Sequence, residues 1–221
     1  MKNVKIEKKI LSENEKISIQ NSFCFAQNNI LCLNMISSPG SGKTTLLART
    51  INELKNKTRI GVIEGDIQTD IDAQRIKETG APVIQINTEG ACHLSAEQIS
   101  RGIKLLPIDT LDLIIIENVG NLVCPSAFEL GESGKVVVLS VAEGDDKPAK
   151  YPSIFAKAKA MIINKIDLIE HVDFDIEKAK KDATILNKDL KIFPLSAKTG
   201  QGMDQWNKWI LEQISNYQKQ E

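Results

Sequence analysis

The chain has 221 residues, 42% of them hydrophobic and 26% charged, and its 28 basic and 29 acidic side chains nearly cancel. This length suits one domain, or one domain with a short appendage, and it can bury enough apolar surface to fold without a disulfide or a structural metal. The near-neutral charge argues against a protein that binds nucleic acid through phosphate electrostatics. Since the apolar runs are too short to cross a bilayer and the N-terminus is charged, we expect a cytoplasmic protein without membrane insertion.

The first part of the chain, residues 1–29, predicts a helical extension ahead of the main domain. Ser12 and Glu15 have the spacing of a capping box, and apolar residues at helical spacing follow them. We therefore expect a helix over residues 12–27 that packs on a main domain over residues 30–221.

Beyond this helix, short apolar runs alternate with amphipathic stretches, which is typical of strand–helix units around a parallel sheet. The predicted strands are residues 30–36, 59–63, 82–86, 112–116, 136–141, 160–163 and 191–195. The predicted helices include residues 44–56, 95–106, 148–159, 174–187 and 202–217. We expect an α/β fold, a three-layer sandwich with a mostly parallel sheet of about seven strands. Polar residues follow most of the runs, and such sheets bind ligands at the carboxyl ends of their strands.

A glycine-rich segment between the first predicted strand and the next helix predicts a phosphate-binding loop and a P-loop NTPase. It reads Ser-Ser-Pro-Gly-Ser-Gly-Lys-Thr from Ser37 to Thr44, with serine where the general pattern begins with glycine. The glycines let backbone N–H groups point at phosphate, Lys43 bridges phosphates, and the Thr44 hydroxyl takes a Mg²⁺ position. The predicted nucleotide-binding residues here are Pro39, Gly40, Ser41, Gly42, Lys43, Thr44 and Thr45.

Two later segments predict that the base is guanine. In Asn164-Lys165-Ile166-Asp167, the Asp167 carboxylate can accept hydrogen bonds from the ring N–H and the exocyclic amine of guanine, a donor pair that adenine lacks. We expect Asn164 to tie this segment to the phosphate loop and the Lys165 stem to pack on the base. Ser196-Ala197-Lys198, the usual third contact to guanine, follows one predicted helix and strand later. Three signals in this order favour GTP and GDP as ligands.

Acidic residues at the ends of predicted strands are candidates for holding Mg²⁺ and handling water. Glu117 ends one strand and Asp66 follows another, so each is a candidate Mg²⁺ ligand. Asp70 or Asp72 is a candidate to orient the attacking water, the alternative being a solvated acidic helix face. Asn121 stands where signalling GTPases often have a water-positioning glutamine, and no arginine finger is evident, so we expect slow hydrolysis of GTP to GDP and phosphate. The predicted catalytic residues are Lys43, Asp66, Asp72 and Glu117.

Cys92, His93 and Cys124 are candidate ligands of a soft metal. Cys92 and His93 precede the capping-box sequence Ser95–Gln98, so both should lie in the turn entering a helix. Pro125 biases Cys124 toward extended backbone in a loop. Two thiolates and an imidazole suit Zn²⁺ or Ni²⁺, while two packing cysteines and a surface histidine are the alternative. Cys124 lies just beyond the segment expected to move when the γ-phosphate is lost, so a metal there could sense the nucleotide.

Together these motifs resemble the hydrogenase nickel-incorporation GTPases of the HypB family. The resemblance covers residues 12–215 and rests on Ser37–Thr45, Glu64–Ile67, Cys92–Leu94, Glu117–Pro125 and Glu143–Pro148, of which ENVGNLVCP at Glu117–Pro125 is the most specific. It implies a GTPase whose site at Cys92, His93 and Cys124 holds Ni²⁺ or Zn²⁺. It also implies a homodimer in the GTP-bound state, the nickel-binding accessory protein HypA as a partner, and nickel delivery to [NiFe]-hydrogenase large-subunit precursors.

Several alternatives stay open at the level of sequence. A urease or cobalamin-enzyme accessory GTPase would share the fold, although the Cys–His–Cys set disfavours both. A small-molecule kinase would use the same phosphate loop but has no need of guanine contacts. A non-catalytic metal carrier could use GTP only as a structural ligand. The basic loop with Lys147 and Lys150 could reach a nucleotide across a dimer or simply be solvated.

Overall fold

The computed structural model describes residues 3–66, 71–88 and 90–219. The strands are β1 (Leu31–Ser37), β2 (Ile60–Asp66), β3 (Val83–Asn87), β4 (Leu113–Glu117), β5 (Gly134–Ser140), β6 (Ala158–Asn164) and β7 (Lys191–Pro194). The α-helices are α1 (Asn3–Gln27), α2 (Lys43–Leu54), α3 (Ile71–Lys77), α4 (Ala96–Ile103), α5 (Cys124–Ala127), α6 (Lys147–Lys150), α7 (Pro152–Lys157), α8 (Ile176–Leu186) and α9 (Met203–Gln218). Short 3-10 helices lie at Ile108–Thr110, Val141–Glu143 and Ile166–His171.

The strands form one parallel sheet in the order β3-β2-β4-β1-β5-β6-β7. The register pairs Glu117 at the end of β4 with Met35 of β1 on one side and with Glu64 of β2 on the other. Because all strands run the same way, their carboxyl ends meet at one edge of the sheet. That edge carries the phosphate loop, the acidic residues and the predicted guanine segment.

Helices cover both faces of the sheet. On one face, α2 and α9 pack on the strands through side chains such as Leu47 and Trp206. On the other face, α1 and α4 cover one half and α7 and α8 the other, with Phe25 and Phe155 fully buried. All residues of β1 and β4 are buried, as expected for central parallel strands covered on both sides. The predicted fold class, a three-layer P-loop NTPase-like sandwich, is confirmed.

The N-terminal helix α1 is longer than the sequence predicts. It begins at Asn3 rather than at residue 12, so the expectation that Ser12 caps its N-terminus is wrong, and Ser12 lies inside the helix. The Asn21 amide donates to the backbone oxygens of Ala96 at 2.8 Å and Leu130 at 3.0 Å, which fastens α1 to the start of α4. In the part of the chain that the structure describes, no helix combines the length and the apolar character needed to span a membrane.

The predicted helix over residues 148–159 is also wrong in part. The chain instead forms α6 and α7, which are separated at Tyr151, and β6 already begins at Ala158. Tyr151 has φ −126° and ψ 53°, outside the helical region. A residue before proline is pushed away from helical geometry, and Pro152 therefore breaks the stretch that its periodicity presents as continuous.

Candidate functional site

The phosphate loop connects β1 to α2 and curls as its glycines allow. Gly40 and Gly42 have φ values of 76° and 91°, which glycine adopts without strain. A Cβ on Gly42 would lie 2.6 Å from Asn164 Nδ2, so the close approach of that segment also requires glycine. Lys43 Nζ donates to Ser37 Oγ at 2.8 Å. The serine that departs from the general pattern thus gives Lys43 an acceptor inside the loop.

Lys43 lies in a buried and acidic surrounding. Burial lowers the pKa of Lys43, and four carboxylates oppose that shift, those of Glu117, Asp72, Glu143 and Glu64. Both carboxylate oxygens of Glu143 are buried without a hydrogen-bond partner. Neither Glu64 nor Glu143 is a sequence-predicted site residue, yet each begins a Glu-Gly-Asp triplet near the end of a strand, and that repetition is the signal that marks them.

Glu117 and Thr44 converge at the predicted Mg²⁺ position. Thr44 Oγ1 donates to Glu117 Oε1 at 2.7 Å, while Glu117 Oε2 is buried without a hydrogen-bond partner. Burial raises the pKa of Glu117 from its ordinary 4.5 to about 7, against the attraction of Lys43. An orphaned carboxylate oxygen next to a hydroxyl fits a hard divalent cation such as Mg²⁺, which prefers oxygen ligands.

The remaining acidic candidates have different outcomes. Asp66 ends β2 at the same edge of the sheet, but its side chain lies outside the described part of the chain, as does Asp70 altogether. Asp72 is at the start of α3, where its carboxylate lies 3.9 Å from Arg75 Nη1. Arg75 Nη2 donates to Thr45 Oγ1 at 3.2 Å, so a guanidinium that the sequence analysis does not predict lies beside the phosphate loop.

The predicted guanine segment is fastened to the phosphate loop. Asn164 Nδ2 donates to the backbone oxygen of Ser41 at 2.9 Å, and Lys165 Nζ donates to that of Gly40 at 2.7 Å. Lys165 adopts a left-handed backbone with φ 63°, which turns the chain sharply after β6. The expected tie between Asn164 and the phosphate loop is therefore present.

The second predicted guanine segment, Ser196–Lys198, closes on the first, Asn164–Asp167. Ser196 Oγ donates to Asp167 Oδ1 at 2.5 Å, and the Ala197 N–H donates to Asn164 Oδ1 at 3.0 Å. Lys198 is exposed at the surface of the same turn. The structure thus brings Asn164, Lys165, Asp167, Ser196, Ala197 and Lys198 together at the edge of the sheet, beside the phosphate loop.

The three predicted metal ligands form a cluster. One ligand atom each of Cys92, His93 and Cys124 lie within 4.8 Å of one another, and Cys92 Sγ is 3.6 Å from His93 Nδ1. Two sulfur ligands around a tetrahedral Zn²⁺ lie roughly 3.8 Å apart, so a small closure would let all three bind one ion. The expectation that Cys124 sits in a loop is wrong, because it begins the short helix α5, whose first turn accommodates Pro125.

The protonation of Cys92 and His93 suits a metal ion that displaces a thiol proton and binds a neutral imidazole. A hydrogen bond with Cys124 raises the pKa of the Cys92 thiol. Burial lowers the pKa of His93, which favours the neutral imidazole that binds metals. The imidazole stacks on Phe128 with ring centroids 3.9 Å apart, and this contact orients the ring. Phe128 is absent from the sequence predictions because its partner lies 35 positions earlier in the sequence.

The segment from Glu117 to Cys124 contacts both the metal cluster and the phosphate loop. Asn121 Nδ2 donates to the backbone oxygen of Cys92 at 3.3 Å, and the Leu94 N–H donates to Asn118 Oδ1 at 3.1 Å. A Cβ on Gly120 would lie 3.0 Å from the Cα of Pro39, so this segment packs directly on the phosphate loop. Asn121, at the position where the sequence analysis compares it with a water-positioning glutamine, is thus hydrogen-bonded to the loop that carries Cys92 and His93.

The predicted basic loop with Lys147 and Lys150 forms the short helix α6, and both lysines make local contacts. Lys150 Nζ pairs with Asp146 at 2.5 Å, and Lys147 Nζ lies 5.7 Å from the centroid of the Tyr151 ring. Neither lysine contacts the phosphate loop within this chain, and a reach across a dimer stays a prediction.

Comparison with known proteins gives one consistent family. Residues 32–194, which include the phosphate loop, the metal cluster and Asn164–Asp167, match the family described as CobW/HypB/UreG, nucleotide-binding domain. Over 95% of its length the chain is 49% identical to the hydrogenase maturation factor HypB of Escherichia coli strain K12, of which it covers 72%. Over 98% of its length it is 41% identical to the hydrogenase/urease maturation factor HypB of Helicobacter pylori, of which it covers 91%. The crystal structure of HypB from Helicobacter pylori in complex with nickel matches with a TM-score of 0.88 at 38% identity, over 95% of this chain and 99% of that one.

Proposed function

Because the chain belongs to the HypB family of hydrogenase maturation factors, we propose that it is a GTP-hydrolysing metallochaperone that carries Ni²⁺ at Cys92, His93 and Cys124 for insertion into [NiFe]-hydrogenase large-subunit precursors. One observation carries this proposal. Ligand atoms of Cys92, His93 and Cys124 lie within 4.8 Å of one another, and the backbone of Cys92 and Leu94 is hydrogen-bonded to the segment that begins at Glu117. The nickel complex of the Helicobacter pylori relative favours Ni²⁺ over Zn²⁺ as the cargo.

In the nucleotide site, Lys43 and the backbone N–H groups of the loop bind the phosphates, and Asp167 recognises guanine. Thr44 and Glu117 would hold Mg²⁺, with Asp66 as the further candidate; when bound, Mg²⁺ neutralises charge on the phosphates. Asp72 is our candidate for orienting the attacking water. Since the Asn121 amide is hydrogen-bonded to the Cys92 backbone, we expect slow intrinsic hydrolysis of GTP to GDP and phosphate.

We propose that the GTP state controls the metal affinity. GTP would order the segment from Glu117 to Cys124, and the contacts of Asn118 and Asn121 with the Cys92–Leu94 loop would transmit that order to the ligands. Coupling energies between two sites are typically about 1–3 kcal/mol, which corresponds to a roughly 5- to 150-fold change in affinity. Three protein ligands leave one position of a tetrahedral site open, which suits an ion that must leave.

The surface beside the metal cluster also suggests the partners of this chain. We propose that GTP promotes a homodimer and that HypA exchanges nickel with this chain. Val123 is apolar, 59% exposed and adjacent to Cys124, which suits a protein contact beside the open metal position. The described cysteines are free thiols, as a thiolate site in the reducing cytoplasm requires.

The decisive experiment measures Ni²⁺ affinity with GDP and with a non-hydrolysable GTP analogue. We expect the two values to differ by about 5- to 150-fold, and we expect Asn121→Ala to shrink that ratio while Ni²⁺ still binds. Equal affinities in the wild-type protein would contradict nucleotide control. Hydrolysis assayed with and without Ni²⁺, over a range of protein concentrations, separates the proposed enzyme from a carrier that uses GTP only as a structural ligand.

Urease is a second candidate client, because the Helicobacter pylori relative at 41% identity is described as a hydrogenase/urease maturation factor. Nickel release from this chain to an apo-urease assembly, compared with release to a hydrogenase precursor, tests this candidate. Release to the precursor alone would restrict the function to hydrogenase.

A further inference from the structure

Arg49 joins the helix of the phosphate loop to the loop predicted to contact guanine. It lies on α2, six residues after Lys43, and its Nη1 donates to the backbone oxygens of Ala197 at 3.3 Å and Lys198 at 3.2 Å. The contact spans almost 150 positions of sequence, which is why no local motif reveals it. One guanidinium thus binds two successive carbonyls of the turn that follows β7.

The guanidinium is itself held in place. Its Nε donates to Glu53 Oε1 at 2.7 Å, and Glu53 Oε2 accepts from Asn207 Nδ2 of α9 at 2.6 Å. Gly200 has φ 93°, and a Cβ there would lie 2.3 Å from Arg49 Nη2. The turn therefore carries glycine where the guanidinium packs against it. The Arg49 guanidinium is thus fixed by Glu53, and the turn leaves room for it at Gly200.

The same turn is fastened from its other side by the guanine segment. There Asn164 accepts from the Ala197 N–H and Asp167 accepts from Ser196 Oγ. The peptide groups on the two sides of Ala197 are therefore fixed separately, the N–H by Asn164 and the carbonyl by Arg49. With a hydrogen bond on each of these two peptide planes, both have little freedom to rotate, and their directions determine what the turn presents to a base.

We propose that Arg49 is a positioning residue for guanine specificity: by binding the Ala197 and Lys198 carbonyls it fixes the turn against which the base is read. This inference rests on the proposed guanine-nucleotide site and adds a specificity determinant to it. Arg49 acts through the turn: its hydrogen bonds go to Glu53, Ala197 and Lys198, which lie outside the phosphate loop. Its loss should reduce discrimination between bases rather than nucleotide binding in general.

The test is a comparison of GDP and ADP affinities, measured by competition against a fluorescent GDP analogue. We expect Arg49→Ala to weaken GDP binding about tenfold and to leave ADP binding unchanged, so that the preference for guanine falls by the same factor. Arg49→Lys keeps the charge but lacks the planar guanidinium that binds Glu53 through Nε and the two carbonyls through Nη1, so we expect an intermediate preference. Should Arg49→Ala fail to fold, Arg49→Lys and Arg49→Gln carry the same comparison.

The matched control is Arg101→Ala. Arg101 forms an i,i+4 pair with Glu97 at 2.5 Å, as Arg49 does with Glu53, but it lies on α4, which covers the opposite face of the sheet from α2. It should leave both affinities unchanged. Equal losses for GDP and ADP in Arg49→Ala would mean that Arg49 is merely structural, and unchanged GDP affinity would also overturn the proposal. If the wild-type protein bound ADP as tightly as GDP, the guanine site itself would be wrong, a result distinct from failure of Arg49.

Discussion

Two parts of the sheet edge differ in how far the protein itself satisfies their polar groups: the guanine half, around Asn164–Asp167 and Ser196–Lys198, and the metal and phosphate half, around Lys43, Glu117 and the Cys92–His93–Cys124 cluster. At the guanine half, Asn164 and Asp167 find their hydrogen-bond partners within the protein, in Ser41, Ala197 and Ser196. At the metal and phosphate half, Glu117 Oε2 and both Glu143 oxygens are buried without hydrogen-bond partners. The Cys92 thiol, by contrast, is exposed to solvent.

This difference indicates two modes of binding. A preorganised surface selects its ligand by shape and hydrogen-bond pattern, because little reorganisation is needed on binding. A surface with orphaned charges is completed by cations, and its geometry therefore depends on what is bound. We infer that the guanine half keeps the same geometry whichever ligand is bound, while the geometry of the metal and phosphate half changes with its bound cations. If so, substitutions in one half should leave the other half's ligand affinity intact.

Cys124→Ala is expected to give the largest difference between the effect on Ni²⁺ affinity and the effect on GDP affinity. Removing one of three ligands should weaken Ni²⁺ binding by about 1000-fold, beyond the 10- to 100-fold typical of outer-shell changes. GDP affinity should stay within about twofold. Competition against a chromogenic chelator and GDP titration measure the two affinities.

The control for this variant is Cys24→Ala, the same chemical change at a half-buried cysteine on α1. It should keep both affinities. Tight Ni²⁺ binding by Cys124→Ala, in both the monomer and any assembly, would remove Cys124 from the site.

Asp167→Asn is the converse test: it should weaken nucleotide binding and leave Ni²⁺ binding intact. The amide offers a donor where guanine also presents donors, so we expect GDP affinity to fall about 100-fold with Ni²⁺ affinity unchanged. Xanthosine diphosphate, which has a carbonyl in place of the exocyclic amine, should bind the variant better than the wild type. Asp173→Asn, at an exposed aspartate six positions later, is the control and should bind like the wild type. Parallel losses for Ni²⁺ and GDP would show that the halves are not independent.

Glu117→Gln gives the smallest expected effect and tests the orphaned charge. Burial raises the pKa of Glu117 to about 7 in the folded chain, so between pH 4.5 and 7 the folded state binds more protons than the unfolded state. The penalty of this carboxylate therefore grows as the pH rises through that window and is complete above it. We expect Glu117→Gln to stabilise the ligand-free protein by about 1 kcal/mol at pH 8 and by less at pH 5.5, since a buried amide also has a desolvation cost.

Thermal unfolding at the two pH values measures this difference, with Glu170→Gln, at an exposed glutamate, as the control. With nucleotide present the order should reverse, because the variant lacks the carboxylate that Mg²⁺ would use, and Mg²⁺ should no longer tighten GTP binding. A stabilisation that is equal at both pH values would mean that the pKa of Glu117 is the same in the folded and unfolded states, and this would contradict the effect of burial.

Most of the fold could be predicted from sequence because its signals are local. Apolar runs, glycine spacing and the Ser95 capping box each depend on neighbours in the chain, and the structure confirms that Ser95 accepts from the Gln98 N–H. Errors arise where a local signal has a competitor. The periodicity after Lys147 continues through Pro152, which breaks the helix, and the capping sequence at Ser12 lies inside α1.

The site was predictable only where its residues form motifs. The cluster of Cys92, His93 and Cys124 follows from the strands that bring their loops to one edge. Other contacts join segments that are 24 to about 150 positions apart in the sequence. They are made by Asn118, Asn121, Phe128 and Arg49. No spacing rule relates such pairs, since they meet only when the sheet order is known.

The hydroxyl of Ser37 has a consequence for turnover. It accepts a hydrogen bond from Lys43 Nζ at 2.8 Å, so a phosphate that binds Lys43 would compete with an acceptor that the protein itself provides. This acceptor within the protein would reduce the free energy gained when Lys43 binds a phosphate. For the proposed nickel carrier, weaker phosphate binding would favour release of GDP between rounds of hydrolysis.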